Sequence, residues 1–236
     1  QMVSTNVNRN IFKMVAQYWT ETTYTDEANY DLVGRNINGA LWTIMYRDVL
    51  KDLDEAKRII NENPDTSTPE AQIQNRLAMI GILEVYAWHV LVDTFGDIPY
   101  SQALDSSNDT PVYDDDAAIY TDLVTRLDAA IGQLTSGAGG FGGGADYIYN
   151  GDADQWAKFG NSLKLRLASR YFDVDATKAG AMATEAIAAG VFTSQADNAT
   201  MQYLSSSPNT NPIWTDLVQS GRADFVAAHT LVDAMN

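Results

Sequence analysis

The chain has no cysteine and only two histidines, His89 and His229. Disulfide frameworks and thiolate metal sites are therefore excluded. Neither histidine stands in a His-Glu-x-x-His or other metal spacing, so both read as structural. Basic residues are also scarce, 15 against 31 acids, for a formal charge of −16. A surface of that sign repels phosphate backbones and anionic headgroups, and nucleic acid is not expected as a partner. No uninterrupted apolar run approaches the roughly 20 residues of a membrane-spanning helix. A signal peptide is missing too, and the chain starts at Gln1 and stops at Asn236 within a plausible helix. Both ends are expected to be cut from a longer precursor.

Several chemical signatures fail on inspection. The glycines between Gly137 and Gly144 lack a Gly-Lys-Ser/Thr ending and follow no strand pattern, so they read as the most flexible stretch of the chain and not as a phosphate loop. Asp173-Val-Asp175 opens like a calcium loop, but Lys178 replaces the required glycine and Thr184 the bidentate glutamate. Asp114-Asp115-Asp116 reads as a helix start favoured by the helix dipole. No Gly-x-Ser-x-Gly elbow occurs, and no catalytic residue, metal or cofactor is expected.

What is present is helical periodicity. Ile11, Val15 and Tyr18 mark an inner face for a short helix from Asn8 to about Tyr18. Ile37, Leu41, Met45, Val49, Leu53, Ala56 and Ile60 predict a long helix ending near Asn63-Pro64. Thr68-Pro69-Glu70 starts a second, carried by Ile73, Leu77, Ile80, Ala87 and Leu91 to Gly96, and the two form an antiparallel hairpin. Asp114 is placed to cap a third, with Tyr120, Leu123, Leu127, Ile131 and Leu134 inward. Asp152, with Gln155 completing a capping box, opens the strongest helix, striped by Trp156, Phe159, Leu163, Leu167 and Tyr171. Its Lys158, Lys164, Arg166 and Arg170 lie off that stripe. Asp175 caps an alanine-rich helix through Met182, Ala186 and Ile187 to Gly190, Val191 to Arg222 is irregular, and a last helix starts near Asp224. The expected fold is all-α: a tetratricopeptide-like helical-hairpin scaffold with long irregular loops, forming one domain over 1–236.

Four passages carry a resemblance. Asp93-Thr-Phe-Gly-Asp-Ile-Pro-Tyr-Ser-Gln-Ala-Leu, Tyr113-Asp-Asp-Asp-Ala-Ala-Ile-Tyr with Leu127-Asp-Ala-Ala-Ile, Tyr149-Asn-Gly-Asp-Ala-Asp-Gln-Trp-Ala-Lys-Phe-Gly-Asn-Ser-Leu-Lys-Leu-Arg, and the opening Gln17-Tyr-Trp-Thr-Glu with Leu41-Trp and Asp52-Leu-Asp-Glu-Ala resemble the SusD/RagB family in its own order. The resemblance implies a non-catalytic lipoprotein on the outer-membrane cell surface. It would capture an oligosaccharide or related nutrient and deliver it to a TonB-dependent SusC-like transporter. It also implies a membrane connection only through an N-terminal lipid anchor not present in this chain. The other readings are a helical-repeat scaffold for protein segments and an α-helical glycosidase, for which 31 acids offer no distinguishable pair.

Sugar rings stack an apolar face on aromatics and need amide, acid or guanidinium partners for their hydroxyls. The segment Thr20–Asn36 and its border have that composition, and Trp19, Tyr24, Asn29, Tyr30 and Arg35 are the first ligand-binding candidates. The aromatics equally fit as a cover over the first helix hairpin. A second patch holds Tyr203, Asn211 and Trp214, which read otherwise as an irregular strap. Trp42, Trp88 and Trp156 sit in amphipathic helices and belong to packing.

Overall fold

The computed structural model describes residues 10–207 and 209–236. Its elements, in chain order, are α1 (Asn10–Val15), β1 (Trp19–Glu21), α2 (Ile37–Thr43), α3 (Lys51–Glu62), α4 (Glu70–Phe95), β2 (Ile98–Pro99), β3 (Tyr113–Asp114), α5 (Asp116–Gln133), α6 (Ala153–Tyr171), α7 (Ala176–Ala189), α8 (Pro212–Trp214), β4 (Phe225–Ala227) and α9 (His229–Met235). They form two compact units, one from the two chain ends (up to Val49 and from Gln202) and one from Leu50–Met201. The molecule is mainly helical, as its periodicity predicts. Two short antiparallel ribbons were not legible: β1 with β4, pairing Trp19 to Ala227 and Glu21 to Phe225, and β2 with β3. The expected helix start at Asp224 is therefore a strand, and the helix begins at His229.

The Leu50–Met201 unit is a stack of helices around α4. Ala78 to Val92 of α4 is buried on nearly every side, Leu91, Val85 and Ile82 completely. This helix has the length and mean hydropathy (1.4) of a membrane span, yet 67% of that window is buried inside the protein, as in a core helix. α5 presents Ile119, Leu123, Leu127 and Ala130 inward, with Tyr120, Ile131 and Leu134 only half-buried. Asp115, not Asp114, caps α5 by accepting from Ala118 N–H. Asp114 instead accepts from the N–H groups of Tyr100 and Ser101, tying the Asp-Ile-Pro-Tyr turn to β3.

α6 keeps its predicted cap, since Asp152 accepts from the N–H of Asp154 and Gln155. The capping box does not close: Gln155 Oε1 has no hydrogen-bond partner among the described residues. Trp156, Leu163 and Leu167 are buried, while Phe159 and Tyr171 stay at the margin. Lys164 lies inside, its ammonium between Asp128 at 2.8 Å and Glu185 at 2.9 Å, so it pairs across α5 and α7. On α7, Ala179, Met182 and Ala186 face in but Ile187 faces out.

The glycine-rich stretch is pinned and not loose. Asn75 donates to the carbonyls of Thr135 and Gly139, and Gln72 and Arg76 donate to that of Gly140. A Cβ at the neighbouring Gly151 would meet the backbone carbonyl oxygen of Phe141 at 2.2 Å, so close backbone approach explains that glycine. Phe141 packs here under the Arg76 guanidinium, 5.7 Å from the ring centre.

In the other unit, Ile11 and Met14 are the buried face of α1, whereas Val15 and Tyr18 are exposed; Asn8 lies outside the described residues. The long helix from Ile37 is interrupted by a π-helical turn over Ile44–Leu50 before α3 continues it. The reason is in the spacing. On an ideal α-helix each step of four residues drifts about 40° around the axis, and four consecutive steps of four precede Leu53. The wider i→i+5 turn compensates for that drift and lets Met45 and Val49 stay buried.

Candidate functional site

The unit made from the chain ends contains a cavity of about 380 Å3. Its construction starts from the β1–β4 ribbon. Trp19 and Glu21, two apart on a strand, share a face. Trp19 packs on Phe225 at 6.0 Å, with the Lys13 ammonium 5.4 Å from its ring, while Glu21 reaches the cavity wall. The chain then leaves the strand in an irregular but ordered path to the 3-10 turn Glu27–Asn29. Four non-glycine residues between Gln17 and Asn36 take left-handed backbone angles: Gln17, Tyr24, Tyr30 and Asn36. For a bulky residue such as Tyr24 (φ 58°) this conformation is unfavourable, and such strain concentrates at binding surfaces.

That path brings Tyr24 to the mouth of the cavity with 60% of its surface exposed. The guanidiniums of Arg35 and Arg222 stand 5.9 and 5.3 Å from its ring centre. Arg35 is held by Glu27 at 2.9 Å, and Arg222 is ion-paired with Asp224. Asn10 donates to Asp216 at 3.1 Å on the wall formed by α1 and the turn after α8. Glu21 is 8% exposed, and its Oε2 is buried with no hydrogen-bond partner among the described residues. Burial pushes its carboxyl up to about 7, with the neighbouring Glu27 carboxylate adding to the shift and Arg35 opposing it. The result is an exposed aromatic ring beside two guanidiniums and several carboxyls, a surface that can stack a ring and exchange hydrogen bonds with its edge.

Of the predicted ligand residues, the cavity brings together Tyr24 and Arg35. Trp19 acts one layer back, through Phe225. Asn29 donates to Thr25 O, closing the loop's own turn, and Tyr30 hydroxyl bonds Gln17 and Val15 O, so both serve loop shape and do not line the cavity. Tyr203 is half-buried, Asn211 caps α8 by accepting from Ile213 N–H, and Trp214 is 41% exposed; none of the three lines the cavity. The charged wall residues that sequence reasoning missed are Glu21, Glu27, Asp216 and Arg222. The last two come from the far end of the chain, and only ribbon pairing could have placed them.

The helical unit has a second concavity of about 420 Å3, lined by Asp93, Tyr120, Arg170, Tyr171 and Val174 among others. Its polar groups are already engaged: Tyr120 hydroxyl and Arg170 both bind Asp93, and the Lys178 ammonium lies 4.1 Å from the Tyr171 ring centre. Beside it the carboxylates of Asp97, Asp115 and Asp116 lie within 4.8 Å of one another. All three are exposed, and Asp97 and Asp115 accept from backbone N–H groups of α5. His89 is buried, bonded through Nδ1 to Tyr86 O, and burial pushes its pKa down; it is a packing residue.

The fold is thus one of stacked helical hairpins in one unit and a loop-built cavity in the other. The family model for SusD-like proteins, described as starch-binding and associating with the outer membrane, matches residues 1–236, and the chain belongs to that family. Among solved structures, a chitin-binding SusD homolog from Flavobacterium johnsoniae is 26% identical with a TM-score of 0.71, over 95% of this chain and 48% of its own. A SusD homolog from Parabacteroides distasonis is 26% identical, TM-score 0.74, over 93% and 43%. A protein described as chitin-binding is 28% identical, TM-score 0.71, over 94% and 46%. The chain thus spans about half the length of these structures. No curated protein matches it.

Proposed function

We propose that this chain is part of a non-catalytic protein at the outer-membrane cell surface. It captures an oligosaccharide or related nutrient and hands it unchanged to a TonB-dependent SusC-like transporter, with a lipid anchor as its link to the membrane. Family membership and the chitin-binding relatives support the ligand class. The observation that carries the reading in this molecule is Tyr24, a 60% exposed ring held in a strained backbone conformation beside two arginines at the mouth of a cavity. A side chain placed at such cost and not buried is placed for a ligand. Tyr24, Arg35, Arg222 and Glu21 are the contacts; Trp19 supports them.

Calorimetric titration with maltoheptaose and chitohexaose tests the reading. Tyr24→Ala should weaken the bound oligosaccharide about 5- to 10-fold, as loss of one stacking face implies, while the recovered sugar shows no new reducing ends. Equal affinity of Tyr24→Ala and the parent would remove Tyr24 from the site, and reducing-end release would make the protein an enzyme.

A further inference from the structure

The charges of the cavity do not balance, and the imbalance specifies a ligand. Arg35 is paired with Glu27 and Arg222 with Asp224, and Asp216 accepts from the neutral Asn10 amide. The carboxyls of Glu21, Glu27 and Asp216 outnumber the two guanidiniums on this wall. Glu21 faces Glu27 from the 3-10 turn, Arg35 from the segment before α2 and Asp224 from the approach to β4. Asn10 of α1, Asp216 of the π-turn after α8, and Arg222 complete the charged and polar wall. Glu21 Oε2 is buried on that wall without a donor among the described residues. Such an acceptor is costly to leave unmet, and the cavity is where its donor can arrive.

Resting on the saccharide reading above, we infer that the cavity takes a neutral, hydroxyl-rich saccharide that donates a hydroxyl to Glu21 Oε2, and rejects uronic or sulfated ones. An acidic sugar would bring its anion beside the carboxyls of Glu21, Glu27 and Asp216, with both guanidiniums already committed. A hydroxyl donates more strongly to an ionised carboxylate than to a neutral acid, so ligand binding favours ionised Glu21. The carboxyl is pushed up to about 7 by its surroundings, so affinity rises with pH, by up to about tenfold between pH 6 and pH 8.

The test titrates the full chain and Glu21→Gln with maltoheptaose, chitohexaose and an oligogalacturonate at pH 6, 7 and 8 by calorimetry. A neutral probe should bind severalfold to tenfold tighter at pH 8 than at pH 6, Glu21→Gln should lose that slope, and the oligogalacturonate should give no heat. A flat profile in the parent protein overturns the inference, as does oligogalacturonate binding that Tyr24→Ala abolishes. Either leaves saccharide capture standing. Silence from all three probes defeats capture and this inference together. The parent's own pH profile decides the matter even where Glu21→Gln fails to fold.

Discussion

The two units treat buried charge in opposite ways. In the helical unit every buried ionisable side chain described above is satisfied, and the same holds for three others. Glu84 receives Lys57 at 2.7 Å and Arg126 at 2.6 Å. Asp146 accepts from Trp156 Nε1 at 2.7 Å and from three backbone N–H groups, those of Ile148, Tyr149 and Gly151. Asp197 takes Lys158 at 2.6 Å together with the N–H groups of Thr193 and Ser194, which hold its carboxyl far below the usual range. In the unit of the chain ends, Glu21 is buried beside another carboxylate with one oxygen unmet. Complete satisfaction of the charged groups marks a region where they serve the fold; the unmet Glu21 oxygen lies on a cavity wall, where something else can complete the set, whereas the other buried unmet oxygen named here, Gln155 Oε1 of α6, belongs to a neutral amide.

The sharpest way to break that comparison is in the helical unit. Leu163 is 4% exposed on the inward face of α6. Leu163→Asp should abolish cooperative thermal unfolding, because an unpaired carboxylate in that core costs several kcal/mol, comparable to the stability of a whole domain. A folded Leu163→Asp protein lacking only ligand binding would show that α6 belongs to the site. The next effect is smaller. Glu84→Gln leaves Lys57 and Arg126 facing an amide, and since both cations are about one-third exposed, the loss should be about 2 kcal/mol in a urea titration. No loss would mean that this clamp is ornamental and that satisfied charge is a poor guide to structural role.

The helical unit was also the legible one. A stripe of Trp156, Leu163 and Leu167 needs only neighbours along one helix to be read, and capping by Asp152 and Asp175 needs only the next three residues. What failed there was two-sided information. Lys164 looks solvent-facing until α5 and α7 supply Asp128 and Glu185, and six glycines look loose until Asn75, Gln72 and Arg76 anchor them. The cavity was legible only in its local half. The composition of Thr20–Asn36 found Tyr24 and Arg35, but Asn29 and Tyr30 share that composition and spend their polar atoms on the loop itself. Arg222 and Asp216 reach the cavity through a ribbon whose strands lie some 200 residues apart, and no periodicity in three residues of Phe-Val-Ala announces it.

The least of the stability effects separates the two units most cleanly. Glu21 has its folded pKa raised to about 7 from an ordinary 4.5. Its protonated form is thus favoured by the fold: the contribution is complete below about pH 4.5, declines as the unfolded chain ionises and the folded one resists, and is gone once pH passes 7. The carboxyl borders a cavity open to water, which tempers the full shift, so the loss should be about 1 to 2 kcal/mol between pH 5 and pH 8. Glu21→Gln should remove that decline, and the difference between the two proteins cancels the titration of every other acid. Saturating saccharide should flatten the parent's profile too, because a hydroxyl on Oε2 stabilises the ionised group. A parent and Glu21→Gln pair with parallel pH profiles would show that Glu21 already has a donor, and the contrast between the units would then rest on Tyr24 alone.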